Sequence, residues 1–325
     1  MKEFVIDEKQ DGKRLDKWLM KECPTLPMGQ VMKFLRLKKV RVNGKVAKAD
    51  AHLAAGDVVN VYLGDECFEK PVKIDPFLQN YKVRLHIVYE DENLIVCDKQ
   101  PGLMCHPDDN EKVNTLLTHI QAHLYQKGEW DSRDSAQFAP CLCNRIDRFT
   151  GGLVIAAKNE EAAHILNEKI RNREIEKRYL CIISGRMNPA SGTLDSYLYK
   201  SESGKKMIVD DEAVLGSQRC LTGYETLATG NGLSLMECAL LTGRTHQIRA
   251  QFAHVKHPLL GDTQYGDRRL NEKYGRNGQC LYAFRLVFRF TTDAGKLNYL
   301  SGKSFSVKNV PFVGDYFPET GGKLP

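Results

Sequence analysis

The sequence predicts an α+β protein in two domains, a small helix–helix–hairpin unit followed by a larger one in which strands alternate with helices. Three observations support this. "VRVNGKVA" alternates around Asn43-Gly44, the strongest short signal for a two-residue hairpin. Ahead of it, Leu15, Trp18 and Leu19 fit one face of a short helix, and Val31, Phe34 and Leu35 fit a second. Farther on, "LIVCDK" and "LVIAAK" read as strands, and Ala162, Ile165, Leu166 and Ile170 form the apolar stripe of a helix.

The hairpin unit is also where the charge lies. Residues 1–60 hold 13 Lys/Arg against 8 Asp/Glu, whereas the remainder holds 34 against 33. Five of the six net positive charges therefore fall in the first sixth of the chain, which suggests a separate domain with a polyanionic partner. "KFLRLKKVRVNGKVAK" has seven basic residues and no acidic one. Solubility alone is served by mixed signs, so Lys33, Arg36, Lys38, Lys39 and Arg41 are read as a phosphate-binding face. A final strand, "GDVVNVYL", closes the unit. The order Arg14-Leu15-Asp16, basic helix, "VRVNGKV" and "AAGDVVNV" resembles the ribosomal S-four type RNA-binding domain over about residues 13–63. The resemblance implies binding to structured RNA through phosphates and shape.

Domain boundaries follow at 1–64 for this unit, 65–80 for a linker with two prolines and no periodicity, and 81–325 for the second domain. No apolar run approaches the roughly 18–20 residues of a membrane span. The N-terminus lacks a signal-peptide core, so the protein is read as cytoplasmic, with no membrane partner. Ten scattered cysteines, with no C-x-x-C pair, read as buried thiols in a reducing compartment.

In the second domain, "CNRIDRFTGG" puts Asp147 between Arg145 and Arg148 in a tight connection between two sheet elements. Taken alone, Asp147 is as readily a surface charge as a working carboxylate. The next helix is capped by Asn159 and carries Glu160 and Glu161 in its first turn. "EKRYLCIIS" sets Tyr179 on an apolar strand, where a core tyrosine is more common than a base-stacking platform. "LLTGRTHQIRAQFAHVKHPLLGDTQYG" leads from a strand through a Thr-Gly turn into a helix with Ile248, Phe252 and Val255 on one face. Arg244 stands at the helix entrance, where the dipole disfavours a cation; Asp147 is a partner that would explain it. His246 and His254 lie about two turns apart, too far to chelate one ion, and no metal is expected. P-loop and dinucleotide fingerprints are absent, so no cofactor is expected either.

These stretches together resemble the RluA-type pseudouridine synthases. "NRIDRFTGGLVIAAKN" is similar to that family's H-R-L-D-x-x-T-S-G-L-L-L, "IVYEDENLIVCDKQPG" to I-x-Y-E-D-x-x-L-I-V-x-x-K-P-x-G, and "EKRYLCIISG" to K-x-Y-x-A-x-V-x-G. The "LLTGRTHQIR" segment and the closing "CLYAFRLVF" also match in order, so the likeness spans roughly residues 81–300. It implies a pseudouridine-synthase fold with a mixed, largely antiparallel central sheet and flanking helices. It also implies isomerisation of uridine to pseudouridine in RNA. By position, Asp147 is the catalytic aspartate, Tyr179 the residue stacking on the target base, and Arg244 the arginine paired with the carboxylate. Arg145 helps hold the base out of its helix, and Leu281 packs beneath the site. Arg148, Thr150 and His246 join the substrate-binding set.

The resemblance has departures: Asn144 for the usual His, Gly151 for the small Ser, a shifted "KQPG", Gln251 for a His and Tyr282 for another. Large-subunit ribosomal RNA is the expected substrate, with transfer RNA as the alternative. No protein partner is implied, and a monomer is expected. Two other classes compete: a non-catalytic RNA-binding or ribosome-assembly factor, and a base-releasing hydrolase. The latter usually needs two carboxylates, and one is prominent here.

Overall fold

In the computed structural model, residues 1–24, 26–64, 67–68, 75–109, 111–202, 204 and 206–320 are described. The chain divides into two compact units, Met1–Ile74 and Asp75–Pro325.

The first unit contains β1 (Lys2–Val5), α1 (Leu15–Glu22), α2 (Met28–Arg36), β2 (Val40–Val42), β3 (Lys45–Val46) and β4 (Val58–Val61). Its sheet runs β1-β4-β2-β3, all antiparallel. The hairpin pairs Val42 with Lys45, and Asn43 and Gly44 take φ of 50° and 77°, the doubly positive pair that a tight hairpin turn requires. Leu15, Trp18, Leu19, Val31 and Leu35 form its core, as their spacing predicts. Lys33, Arg36, Lys38, Lys39 and Arg41 are all exposed. β1 is an addition to the sequence reading: four residues, three of them exposed, give no periodic signal.

The stretch read as a linker is partly helical. Asp75 accepts from the amides of Phe77 and Leu78, and Pro76 occupies the first turn of α3 (Pro76–Asn80), where its missing N–H costs nothing. Residues 76–80 therefore belong to the second unit. Pro76, one of the two prolines of that stretch, starts a helix. Residues 65, 66 and 69–74 of the expected linker lie outside the described residues.

The second unit continues with β5 (Ile87–Glu90), β6 (Leu94–Lys99), α4 (Leu116–Gln126), β7 (Cys141–Leu142), β8 (Gly151–Ala157), α5 (Glu160–Arg171) and β9 (Ile175–Ser184). There follow β10 (Ser191–Lys200), β11 (Met207–Asp210), β12 (Gln218–Gly230), β13 (Leu233–Leu240), α6 (Gln247–His254) and α7 (Arg268–Lys273). β14 (Leu281–Phe288), β15 (Ser304–Ser306) and α8 (Pro311–Tyr316) complete the order. The main sheet runs β11-β10-β12-β13-β9-β14-β8-β6-β5, with β15 on β14 and β7 on β8. It is antiparallel throughout except where β14 and β8 run parallel. This is the mixed, largely antiparallel sheet that the resemblance implied.

Both faces of this sheet are covered. Leu94, Val96, Leu153 and Ile155 lie in one core with α5 and α8, and the alternate residues Ile95, Cys97 and Val154 join a second core with α4 and α6. The period-2 alternation of strands sorts them. All seven residues of β8 are buried, which is why it reads as a continuous apolar run. Asn159 caps α5 by accepting from Ala162 N.

The parallel contact of β8 and β14 depends on two glycines. A Cβ on Gly151 would lie 2.3 Å from the Tyr282 ring, and one on Gly152 would lie 2.3 Å from the Ala283 carbonyl. The Tyr282 hydroxyl donates to Asp98 at 2.7 Å. Two departures from the resembled pattern, Gly151 and Tyr282, thus explain each other: the ring occupies the space that a serine side chain would need. Gly151→Ser is expected to cost roughly 1–3 kcal/mol by overpacking, read as a lowered urea midpoint, and combination with Tyr282→His to recover most of it. A single variant as stable as wild type contradicts the clash.

Candidate active site

The turn that presents Asp147 is held from three directions. The Thr150 amide donates to the Asp147 carbonyl at 3.1 Å. The buried Lys99 ammonium donates to the carbonyls of Leu103 at 2.7 Å, Arg148 at 3.0 Å and Gln100 at 3.2 Å. Burial pulls its pKa down to about 8, against the opposing fields of Cys105, Asp147 and Asp98. The Thr150 hydroxyl is buried and accepts from Gln279 at 2.6 Å. Thr150, expected among substrate contacts, therefore braces the turn, although it reaches the cleft lining.

The cleft, about 270 Å³, is lined by Asp147, Arg145, Tyr179, Arg244, His246 and Leu281, together with Arg249 and Lys177. Tyr179 and Leu281 form part of the second core and are 5% exposed each, so they supply an apolar wall. Burial, and after it the charge of Asp147, raises the Tyr179 phenol well above its ordinary value and keeps it neutral.

The arginine on the carboxylate is Arg249. Its Nη1 lies 2.8 Å from Asp147 Oδ2, and it is 7% exposed. Its Nε and Nη2 bond the two oxygens of Asp262 at 2.7 and 3.1 Å, and Nη2 also reaches Gln264 at 3.3 Å. Burial opposes its charge, and the bonds and field of Asp262 and Asp147 outweigh it. Asp262 is itself desolvated, but the Arg249 fork and the amides of Tyr265 and Gln264 hold its carboxyl below the usual range.

Arg244, expected to pair with Asp147, forms no ion pair with it within 4.0 Å among the described residues. The helix begins at Gln247, three residues later, so Arg244 is an exposed turn residue and the dipole argument does not apply to it. Arg249 sits inside the helix, where nothing in its spacing separates it from a solvated arginine.

His246 stands at the position before α6, without a side-chain cap bond, with a positive φ of 56°, a conformation uncommon outside glycine, and its Nδ1 lies 3.0 Å from the Tyr265 hydroxyl. Burial lowers its pKa against the pull of Asp147, whose oxygen is 3.8 Å from Nε2. Arg145 is exposed and donates to Thr245 at 3.3 Å. Arg148 lies outside the cleft lining; its Nε donates to Gly102 O at 3.1 Å. Lys177, missed in the sequence, projects from β9 two residues before Tyr179, and burial alone lowers its pKa. Of the other departures, Gln251 is buried with Thr222, Ser196, Leu194 and Cys220 as partners. Asn144 accepts from Ile155 N at 2.8 Å, while its buried Nδ2 has no acceptor among the described residues. No group of three or more His, Cys, Asp or Glu among the described residues is placed to hold a metal ion.

Residues 93–254 match the family model described as RNA pseudouridylate synthase. An uncharacterized RNA pseudouridine synthase of Chlorobaculum parvum is 31% identical over 309 residues, covering 90% of this chain and 91% of the relative. The chain belongs to the RluA-type family of RNA pseudouridine synthases. A ribosomal large subunit pseudouridine synthase C of Vibrio vulnificus is 29% identical over 89% of this synthase and 88% of its own length. The human RNA pseudouridylate synthase domain containing 4 protein shares the fold, with TM-score 0.56 and 22% identity, over 74% of this chain and 94% of its own.

In this synthase Asp262 reaches Asp147 through the Arg249 guanidinium. Asp262→Asn is expected to lower kcat about 10- to 100-fold, the scale of one charged hydrogen bond. The depressed Asp262 pKa adds a pH signature. Its contribution to stability is complete above the ordinary carboxylate value, about 3.9, and is lost as pH falls through its lower folded value. The gap in urea stability between wild type and Asp262→Asn should hold from pH 7 to pH 5 and close below about 4. A gap unchanged down to pH 3 contradicts the ion pair.

Proposed function

We propose that this synthase isomerises uridine in large-subunit ribosomal RNA, with Asp147 as the carboxylate that acts on the ribose. The N1–C1′ bond breaks, the uracil turns, C5 joins C1′, and the proton lost from C5 is balanced by one gained at N1. One observation carries the reading: Asp147 is gripped by a buried, forked arginine inside the cleft that Tyr179 walls.

Removing a uridine from its stack costs a few kcal/mol. Tyr179 is our stacking platform for the everted base, where an aromatic contact returns roughly 1–3 kcal/mol. Leu281 packs beneath it. A carboxylate covered by that base loses hydration, which opposes ionisation, and Arg249 offsets this by favouring the charged form. Arg145 and Arg244, exposed at the rim, meet the phosphates on either side, and His246 closes the cleft as a neutral imidazole.

The ribosomal target is supported by the Vibrio vulnificus relative, whose name gives it that substrate. It is also supported by the basic first unit, which we read as an RNA-binding domain of the ribosomal S-four type. There Lys33, Arg36, Lys38, Lys39 and Arg41 stand exposed for phosphate contact.

Pseudouridine mapping across ribosomal and transfer RNA, with and without the gene, tests both parts. The expected result is a large-subunit site that disappears without the gene, returns with wild type and stays absent with Asp147→Ala. A missing transfer RNA site overturns the target, and rescue by Asp147→Ala overturns the role.

A further inference from the structure

Beside the cleft lies a second cavity of about 260 Å³, whose lining includes Phe149, Pro101, Leu281, Tyr282, Phe312 and Arg276. Leu281 lines both cavities. Phe149 is 51% exposed although it stands two residues from Asp147. A single exposed apolar side chain on a surface is ordinary; what distinguishes Phe149 is its setting.

That setting is rigid on both sides. The Arg148 carbonyl accepts from Lys99 Nζ at 3.0 Å and from the Gly102 amide at 2.8 Å. On the other flank, Thr150 is buried and bonded to Gln279. The phenyl ring is therefore displayed on a braced turn, and the chain forgoes the burial that a core phenylalanine would gain. The Arg148 guanidinium lies 5.5 Å from the ring centroid, over one face. Arg276 adds a second cation at the cavity wall. An aromatic ring with one face under a cation, beside an apolar wall and another cation, suits a flat π-system attached to a phosphate chain.

We propose that Phe149 and Arg148 form a second base-binding subsite, in which a nucleobase next to the target uridine stacks on Phe149 while Arg148 and Arg276 meet its phosphates. The proposal rests on the reading of the cleft as the uridine site, since continuity through Leu281 places the neighbouring nucleotide here. It assigns part of the choice of target to a residue outside the catalytic cleft.

The test uses full-length protein and total RNA from a strain lacking the gene, which carries the unmodified target whether ribosomal or transfer. Phe149→Ala should raise the apparent KM roughly 5- to 100-fold, with the loss falling on KM more than on kcat and the melting temperature unchanged. Phe149→Leu should be as impaired as Phe149→Ala, while Phe149→Trp restores binding and its added indole fluorescence is quenched by the RNA, above the signal of Trp18 and Trp130. A Phe149→Leu variant that matches wild type, a Phe149→Ala KM within twofold, or a loss confined to kcat overturns the subsite. If wild type forms no pseudouridine in this RNA, the functional reading fails. The indole signal then decides the subsite by itself: quenching sustains stacking and an unchanged signal overturns it.

Discussion

One guanidinium between two carboxylates organises this site. A lone buried cation is costly, and Arg249 is tolerated because Asp262, wholly enclosed and fixed by the amides of Gln264 and Tyr265, takes up two of its nitrogens. That leaves Nη1 aimed at Asp147. The Tyr265 ring lies 5.1 Å from the same guanidinium, and its hydroxyl also holds His246. The direction of the fork is therefore set behind the cleft by groups other than Asp147, so the guanidinium is held in place before anything enters.

The sheet brings the other parts to that fork. Tyr179 on β9 pairs with Ala283 and Cys238 on the neighbouring strands, which fixes its position at the cleft wall. The parallel approach of β14 to β8 sets Leu281 near the Asp147 turn, and the two glycines at the start of β8 make that approach possible. Lys99 ties the end of β6 to the same turn through the Arg148 carbonyl, and holds the carbonyls of Gln100 and Leu103 beside it. Each device uses a buried polar group or a missing side chain, and each would be a defect without its partner.

Much of the fold was legible because it rests on local signals. The Asn43-Gly44 hairpin, the Asn159 cap and the apolar run of β8 each follow from a few neighbouring residues, and Asp147 and Tyr179 stood out through motifs of several residues. What was not legible depends on long-range contact. Arg249 is 102 residues from Asp147 along the chain, and Asp262 looks like an ordinary turn residue in "LLGDTQ". Arg244 drew attention through a helix start placed three residues too early. Lys177 hides in a run of charges before an apolar strand, and Pro76 imitates a linker while starting a helix. The Gly151–Tyr282 exchange spans 131 positions, so one chain read linearly shows two departures where the structure shows one compensation.

The central claim is that Arg249, and not Arg244, holds the reactive carboxylate. Single-turnover rates at saturating enzyme, measured for Arg249→Lys and Arg244→Lys on the same RNA, test it most directly. Loss of the fork with charge retained should slow Arg249→Lys by at least about 100-fold, with RNA affinity intact, while Arg244→Lys keeps a rate within a few-fold of wild type. A full-speed Arg249→Lys beside a crippled Arg244→Lys would contradict the account.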